Sequence, residues 1–210
     1  MKRVHLIGDS HVLMHAELIS PEFDFVHCGA CTAYSLMNPE SATRSFYTLK
    51  NMYNESHFEN DIFIFLFGEI DCRTLIYHKH KKFNIDLMDM INVVVYRYFS
   101  AISYCRDIGF RVGVHGIIPA VQQKNEYNVE FYGEDSIRSQ INYEFDSRCH
   151  TKAINDGVPY FNCTYIPGMR NDQGMVPINS LLPDLVHIDP QKVHTSFHFK
   201  TWLAQLGFLP

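Results

Sequence analysis

Apolar runs alternate with amphipathic ones along this chain, the pattern produced when parallel strands are joined by crossover helices. Five strands are predicted, at 3–7, 23–27, 62–67, 110–116 and, as a short one, 159–163. The run Ile62-Phe63-Ile64-Phe65-Leu66-Phe67 has no polar alternation. Both of its faces must therefore be covered, which puts it at the centre of a parallel sheet.

The helical periodicities fall between these runs. Asp86 is placed to cap a helix running to Ile108, because Leu87, Met90, Ile91, Val94, Val95, Tyr98, Ile102 and Cys105 recur at helical spacing and Gly109 follows. Ile137, Ile141, Phe145, Cys149 and Ala153 step by four before Gly157, and Phe199, Trp202, Leu203 and Leu206 form a terminal helix ending at Gly207. Weaker helical patterns cover 10–19 and 41–53. Two segments, 119–134 and 167–183, fit neither pattern and are expected as long loops. Both follow a strand, which places them at the carboxyl edge where open α/β sheets bind ligands.

With 210 residues, 46% of them hydrophobic, the chain is long enough for one well-filled core, and it shows no linker or repeat, so a single domain over 1–210 is expected. A net charge of -5 gives no general attraction to nucleic acid phosphates. The one basic run, His78-Lys79-His80-Lys81-Lys82, is expected as a solvated loop. No apolar stretch approaches the roughly 18 residues of a membrane span. Met1-Lys2-Arg3 leads into Gly8-Asp9-Ser10 and not into a signal-peptide core, so a cytoplasmic location is expected. The six cysteines, scattered through a chain that needs no staples, are expected as reduced thiols in or near the core.

Two short blocks carry the chemistry. Gly8-Asp9-Ser10-His11 follows the first strand and precedes a helical pattern. A serine at such a turn has its hydroxyl raised above the sheet edge, beside the backbone N–H groups and favourable field of a helix amino terminus. The plainer alternative is that Ser10 only caps the helix. Near the other end, Asp184-Leu185-Val186-His187 precedes the terminal helix. A carboxylate three residues before an imidazole can accept the Nδ1 proton while Nε2 points toward a nucleophile. A surface turn would explain the same letters.

Taken together, a Gly-Asp-Ser block after the first strand and an Asp-x-x-His block before the last helix resemble the SGNH (GDSL-like) hydrolases over nearly the whole chain. That resemblance implies an α/β, three-layer, flavodoxin-like fold with a mostly parallel five-stranded sheet, and metal-free, cofactor-free chemistry on ester-linked acyl groups. It makes Ser10 the nucleophile, His187 the general base and Asp184 its orienting partner. The substrate class implied is a small-molecule or glycan ester, with acyl transfer by the same triad, or binding without catalysis, as alternatives.

The middle blocks match less well. Gly29, in His27-Cys28-Gly29-Ala30-Cys31-Thr32, corresponds to the family's oxyanion-hole glycine, although the amides through Thr32 and Ala33 compete for that place. The family's Gly-x-Asn-Asp block reads Gly68-Glu69-Ile70-Asp71 here. Ile70 cannot donate the hydrogen bond that the asparagine provides, and losing one such donor costs about 3 kcal/mol of transition-state stabilisation. Arg73 is the nearest substitute donor, its alternative being a structural pair with Asp9, Asp71 or Glu69. Gly29, Arg73 and Asp71 are thus the candidates for oxyanion and substrate contacts. Tyr127, Phe131, Tyr132, Asn171 and Gln173 on the two long loops suit a polar organic ligand.

Other patterns in the chain compete with these. Cys28-Gly29-Ala30-Cys31 has the spacing of a dithiol redox motif, but such a protein would leave Ser10, Asp184 and His187 unexplained. His78 and His80 lie on one side if that segment is extended, yet the lysines around them would repel a metal. His194 and His198 lack a partner carboxylate at suitable spacing, and no metal is expected.

Overall fold

The sheet contains five parallel strands in the order β2-β1-β3-β4-β5: β1 (Val4–Gly8), β2 (Phe23–His27), β3 (Ile62–Leu66), β4 (Arg111–His115) and β5 (Tyr160–Phe161). The structure is a computed structural model that describes residues 3–55, 61–122, 130–182 and 187–209. Every predicted strand is present within a residue or two of its expected ends, and the sheet is parallel throughout.

Alternating side chains of the strands feed two cores, as a two-residue period requires. Ile7, Phe63, Phe65, Val112 and Val114 pack on one face with the buried sides of α3 (Leu87–Asp107) and α4 (Asp135–Asp156) and with Leu49 of α1 (Ser45–Glu55). Leu6, Ile62, Ile64, Leu66 and Phe161 pack on the other with Val12 and Leu18 of the first turn and with Phe199 and Leu203 of α5 (Thr195–Gln205). Helices thus cover both faces of the sheet, and β3 is buried along its length as its sequence demands.

The local signals that define α3 and α4 are those the sequence carries. Asp86 caps α3, its Oδ1 accepting from the amides of Met88 (2.8 Å) and Asp89 (3.2 Å). Gly157 ends α4 in a left-handed conformation, φ 64°. The weaker helical pattern at 10–19 is a 3-10 helix over Ser10–Leu18. One expectation needs correction. The basic run is not a loop or an extended segment but the body of α2 (Ile76–Phe83), which continues a π-helical turn at Asp71–Leu75. Buried Ile76 anchors α2, and its cations crowd the last turn, where they complement the negative end of the helix dipole. On a helix, His78 and His80 diverge: His78 meets the Tyr132 ring edge-on at 4.9 Å, while His80 Nδ1 lies 2.6 Å from the Ile85 carbonyl.

The two long loops meet one another. Val121 bridges Val176, and the Val176 amide donates to the Ala120 carbonyl at 3.0 Å. Residues 123–129, with Tyr127, lie outside the described residues. Among the described residues no helix is long and apolar enough to cross a membrane.

Candidate active site

In this strand order the chain leaves β1 for β2 on one side and then crosses to β3 on the other, so the carboxyl end of β1 lies at the topological switch point. Ser10 stands there. Gly8 makes the turn possible: a Cβ at that position would lie 2.2 Å from the Leu66 carbonyl oxygen and 2.7 Å from Val12 Cγ1. The residue that caps the following 3-10 turn is Asp9, whose Oδ1 accepts from the His11 amide at 2.9 Å. Ser10 is thereby released from capping, and its hydroxyl does something else.

Its partner is the imidazole of His187, 177 residues away, with Nε2 2.7 Å from Ser10 Oγ. An unprotonated imidazole nitrogen at that distance accepts the hydroxyl proton and can remove it as the oxygen attacks an electrophile. Asp184 lies outside the described residues.

The approach of the two ends is built into the packing. Thr195 Oγ1, at the start of α5, donates to the Met14 carbonyl at 3.0 Å, and His15 Nδ1 lies 3.4 Å from Ser196 Oγ. These contacts fix α5 against the first turn. The segment just before α5 is tied down as well, since the Leu182 amide donates to the His187 carbonyl at 2.8 Å and the Asp189 amide to the Ser180 carbonyl at 2.9 Å.

Gly29 sits in the exposed loop after β2 with φ 65°, a left-handed conformation suited to glycine. That loop is held from behind by Asp71. Its carboxylate is fully buried and accepts from the amides of Ala33 (2.7 Å) and Tyr34 (3.1 Å). Burial pushes the Asp71 carboxyl up to about 7, against the pull of those two amides. Asp71 thus joins the turn after β3 to the loop after β2.

Arg73 takes the structural partner. Its Nε donates to Glu69 Oε1 at 2.8 Å and its Nη1 to the Glu130 carbonyl at 2.9 Å, while its guanidinium lies 5.5 Å from the Phe131 ring. Phe131 also lies under Arg138, at 4.6 Å. Asn171 serves its own loop, its Oδ1 accepting from the amides of Gln173 (2.9 Å) and Met175 (3.1 Å). Ile70 opens the π-helical turn and is half-buried.

One group beside Ser10 has no role assigned from the sequence. His11, directly after Ser10, is buried with Nε2 3.1 Å from Glu69 Oε2, and its ring centroid lies 4.9 Å from that of His187. The signal was a base and an acid standing inside the two blocks already singled out. His11 and Arg73 together hold Glu69 down at about 2 despite its burial, and Glu69 in turn raises His11 above the ordinary histidine value although burial alone would lower it. Asp9 is fully buried, and desolvation raises it to about 6.

The thiols do not suit redox chemistry. Cys28 and Cys31 are both buried, and burial pushes Cys28 up to about 12 and raises Cys31, the reverse of an activated dithiol. All six cysteines are free and buried.

Comparison with known proteins gives the architecture its context. No protein-family model matches the chain, and no curated protein matches it by sequence. Solved structures do match it, 64 chains in all. A GDSL-like lipase from Bacteroides thetaiotaomicron VPI-5482 superposes with a TM-score of 0.62 at 13% identity, covering 97% of this chain and 86% of the lipase. A carbohydrate acetylesterase from Sinorhizobium meliloti gives 0.60 at 15% identity, covering 97% and 99%. The aryl esterase of M. smegmatis gives 0.58 at 15% identity over the whole of both chains. The chain therefore has the flavodoxin-like fold of the GDSL/SGNH hydrolases.

Proposed function

We propose that this chain is a serine-dependent esterase acting on small acyl esters, O-acetyl esters of carbohydrates among them. The observation that carries the reading is the 2.7 Å contact between Ser10 Oγ and His187 Nε2 at the switch point of the sheet. A carbohydrate acetylesterase and an aryl esterase among the structures of the same fold support the substrate class.

In this mechanism His187 Nε2 takes the Ser10 proton as Oγ bonds to the ester carbonyl carbon. The carbonyl electron pair moves to oxygen, and the Ser10 and Gly29 amides donate hydrogen bonds to the oxyanion so formed. Collapse expels the alcohol, which takes the proton back from His187 and leaves an acyl group on Ser10. Water, deprotonated by His187, then attacks the acyl carbon and returns the free acid and Ser10. The Asp184 carboxylate accepts a hydrogen bond from His187 Nδ1–H and keeps the ring in the required tautomer. Transfer to another hydroxyl would use the same residues with an alcohol in place of water.

Ile70 favours a second reading, in which the fold binds an ester without turning it over. A fluorophosphonate probe separates the two. Stoichiometric labelling of Ser10, lost in Ser10→Ala and reduced at least 1000-fold in rate in His187→Ala, together with turnover of p-nitrophenyl acetate, is the expected result. Labelling that survives Ser10→Ala, or its absence in the folded wild type, would overturn the esterase reading.

A further inference from the structure

A cavity of about 400 Å³ opens where β4 and β5 end, two to three strands along the sheet from the turn that carries Ser10. Tyr143, Asp146 and His150 line it from α4, and Asn162, Tyr165 and Arg170 line it from the segment after β5. Neither Ser10, Gly29 nor His187 belongs to it. Its volume is that of a small-molecule site, for which about 300–1000 Å³ is usual.

The cavity contains a buried carboxylate with one oxygen to spare. Asp146 is 6% exposed, and its Oδ1 accepts from the Tyr160 hydroxyl at 2.5 Å and from the Ile117 amide at 3.2 Å. Gly116, at the end of β4, permits this close approach, since a Cβ there would lie 2.8 Å from Oδ1 and 2.9 Å from the Tyr160 oxygen. Asp146 Oδ2 takes no hydrogen bond among the described residues. Buried polar atoms are costly to leave unpaired, and a ligand in the cavity is the partner within reach.

The charges around that carboxylate oppose it. Burial raises Asp146 to about 6, while its two hydrogen bonds and the nearby His150 and Arg170 draw it down, so it is ionised at neutral pH. Among the described residues neither the His150 nor the Arg170 side chain makes a hydrogen bond or ion pair: His150 lies 5.1 Å from the Tyr160 ring and Arg170 5.9 Å from the Tyr165 ring. A ligand with net charge of either sign meets a like charge here. A hydroxyl group does not, because it can accept from the guanidinium and donate to the carboxylate. Tyr143 and Tyr165 are 64% and 75% exposed, and each offers an apolar ring face with a polar tip.

We propose that this cavity is a second ligand site that holds one neutral sugar unit, with neighbouring hydroxyls bridging Asp146 and Arg170 and the ring lying against Tyr143 or Tyr165. The inference goes beyond the esterase reading and uses none of its residues.

The test needs the intact chain and no ester. Methyl glycosides of glucose, galactose, mannose, xylose and N-acetylglucosamine are titrated to about 50 mM, enough for a weak single-unit site, against protein with labelled histidine and tyrosine rings. Nuclear magnetic resonance should show at least one of them shifting His150 and Tyr143 saturably. Arg170→Gln and Tyr165→Ala, both at exposed side chains, should each weaken that binding by at least about fivefold, whereas Tyr165→Phe should stay within about twofold of wild type. Ser10→Ala should bind as wild type does. Failure of every glycoside to move His150 overturns the proposal, as does binding that Arg170→Gln and Tyr165→Ala leave unchanged. Loss of binding in Ser10→Ala, which would put the sugar at the reacting pair, also overturns it, and so does a His150 shift produced by inorganic phosphate but by no glycoside. Wild type that binds a glycoside yet fails to label at Ser10 refutes the esterase reading and leaves this one standing.

Discussion

Asp71 shows how one residue can serve a site it does not enter. Both of its oxygens accept from amides of the loop after β2, at 2.7 Å and 3.1 Å, in a place with no exposed surface. An asparagine there keeps one acceptor and turns an amide donor toward a backbone N–H. Asp71→Asn is expected to lower stability by about 1–3 kcal/mol, the cost of one buried donor left unpaired. Urea unfolding at pH 8.5, where the wild-type carboxylate is ionised, is the measurement, and an unchanged midpoint would mean that the loop holds itself. The pairing of Ser10 with His187 was legible because one stands in a short block at the end of the first strand and the other in a short block before the last helix, whereas Asp71, expected at an oxyanion or substrate contact, instead accepts from the Ala33 and Tyr34 amides. The partner of Arg73 was legible only as a choice among three acids. The partnership of His11 with Glu69 was not, because it depends on two turns leaving neighbouring strands β1 and β3 at one height.

Among the elements, the turn from β1 into the first 3-10 helix has the least room. Gly8 pairs with His27 on one side and Leu66 on the other, and its carbonyl accepts from the Cys28 amide at 2.8 Å. The strand cannot retreat from a new methyl group, which would meet the Leu66 carbonyl and Val12 at once. Gly8→Ala is therefore expected to cost at least about 2 kcal/mol, in the range of core overpacking, and to slow Ser10 labelling by displacing the turn. Chemical denaturation and the probe reaction check the two effects separately. The elements best legible in sequence were those whose signal is local: β3 by its unbroken apolar run, α3 by Asp86 at its start and Gly109 at its end. Helix α2 was missed for a physical reason. It grows out of a π-helical turn, whose extra residue breaks the 3.6-residue rhythm, and its charged last turn has the composition of a loop.

For the whole molecule, the central fact is that the two ends of the chain are joined through a buried polar contact that no local pattern announces. His15 from the first turn and His115 from β4 face each other with Nε2 atoms 3.0 Å apart, beside Ser196 of α5. His115 Nδ1 lies 2.6 Å from the Gly116 carbonyl and donates to it, so its Nε2 must accept; His15 Nε2 then donates, and its Nδ1 accepts from Ser196. This arrangement requires both rings neutral, and burial lowers His15 well below the usual histidine range and His115 to about 4. The unfolded chain takes up a proton on His115 near 6.5, whereas the folded chain resists until about 4. The stabilisation is therefore complete above 6.5 and is lost as pH falls through that window, by up to about 3 kcal/mol. Asp9, Asp71 and Asp146, raised by burial to about 6, 7 and 6, act in the opposite sense over an overlapping range, so the wild-type profile alone does not isolate the histidine. A comparison with His115→Gln does, because the carboxylates are common to both proteins. Between pH 6.5 and 4 the difference in unfolding free energy should move in favour of the variant by up to that same amount, read from urea midpoints at half-unit intervals. Parallel profiles would mean that His115 admits a proton without cost, and that the contact joining the first turn to β4 and α5 is not the neutral pair its geometry requires.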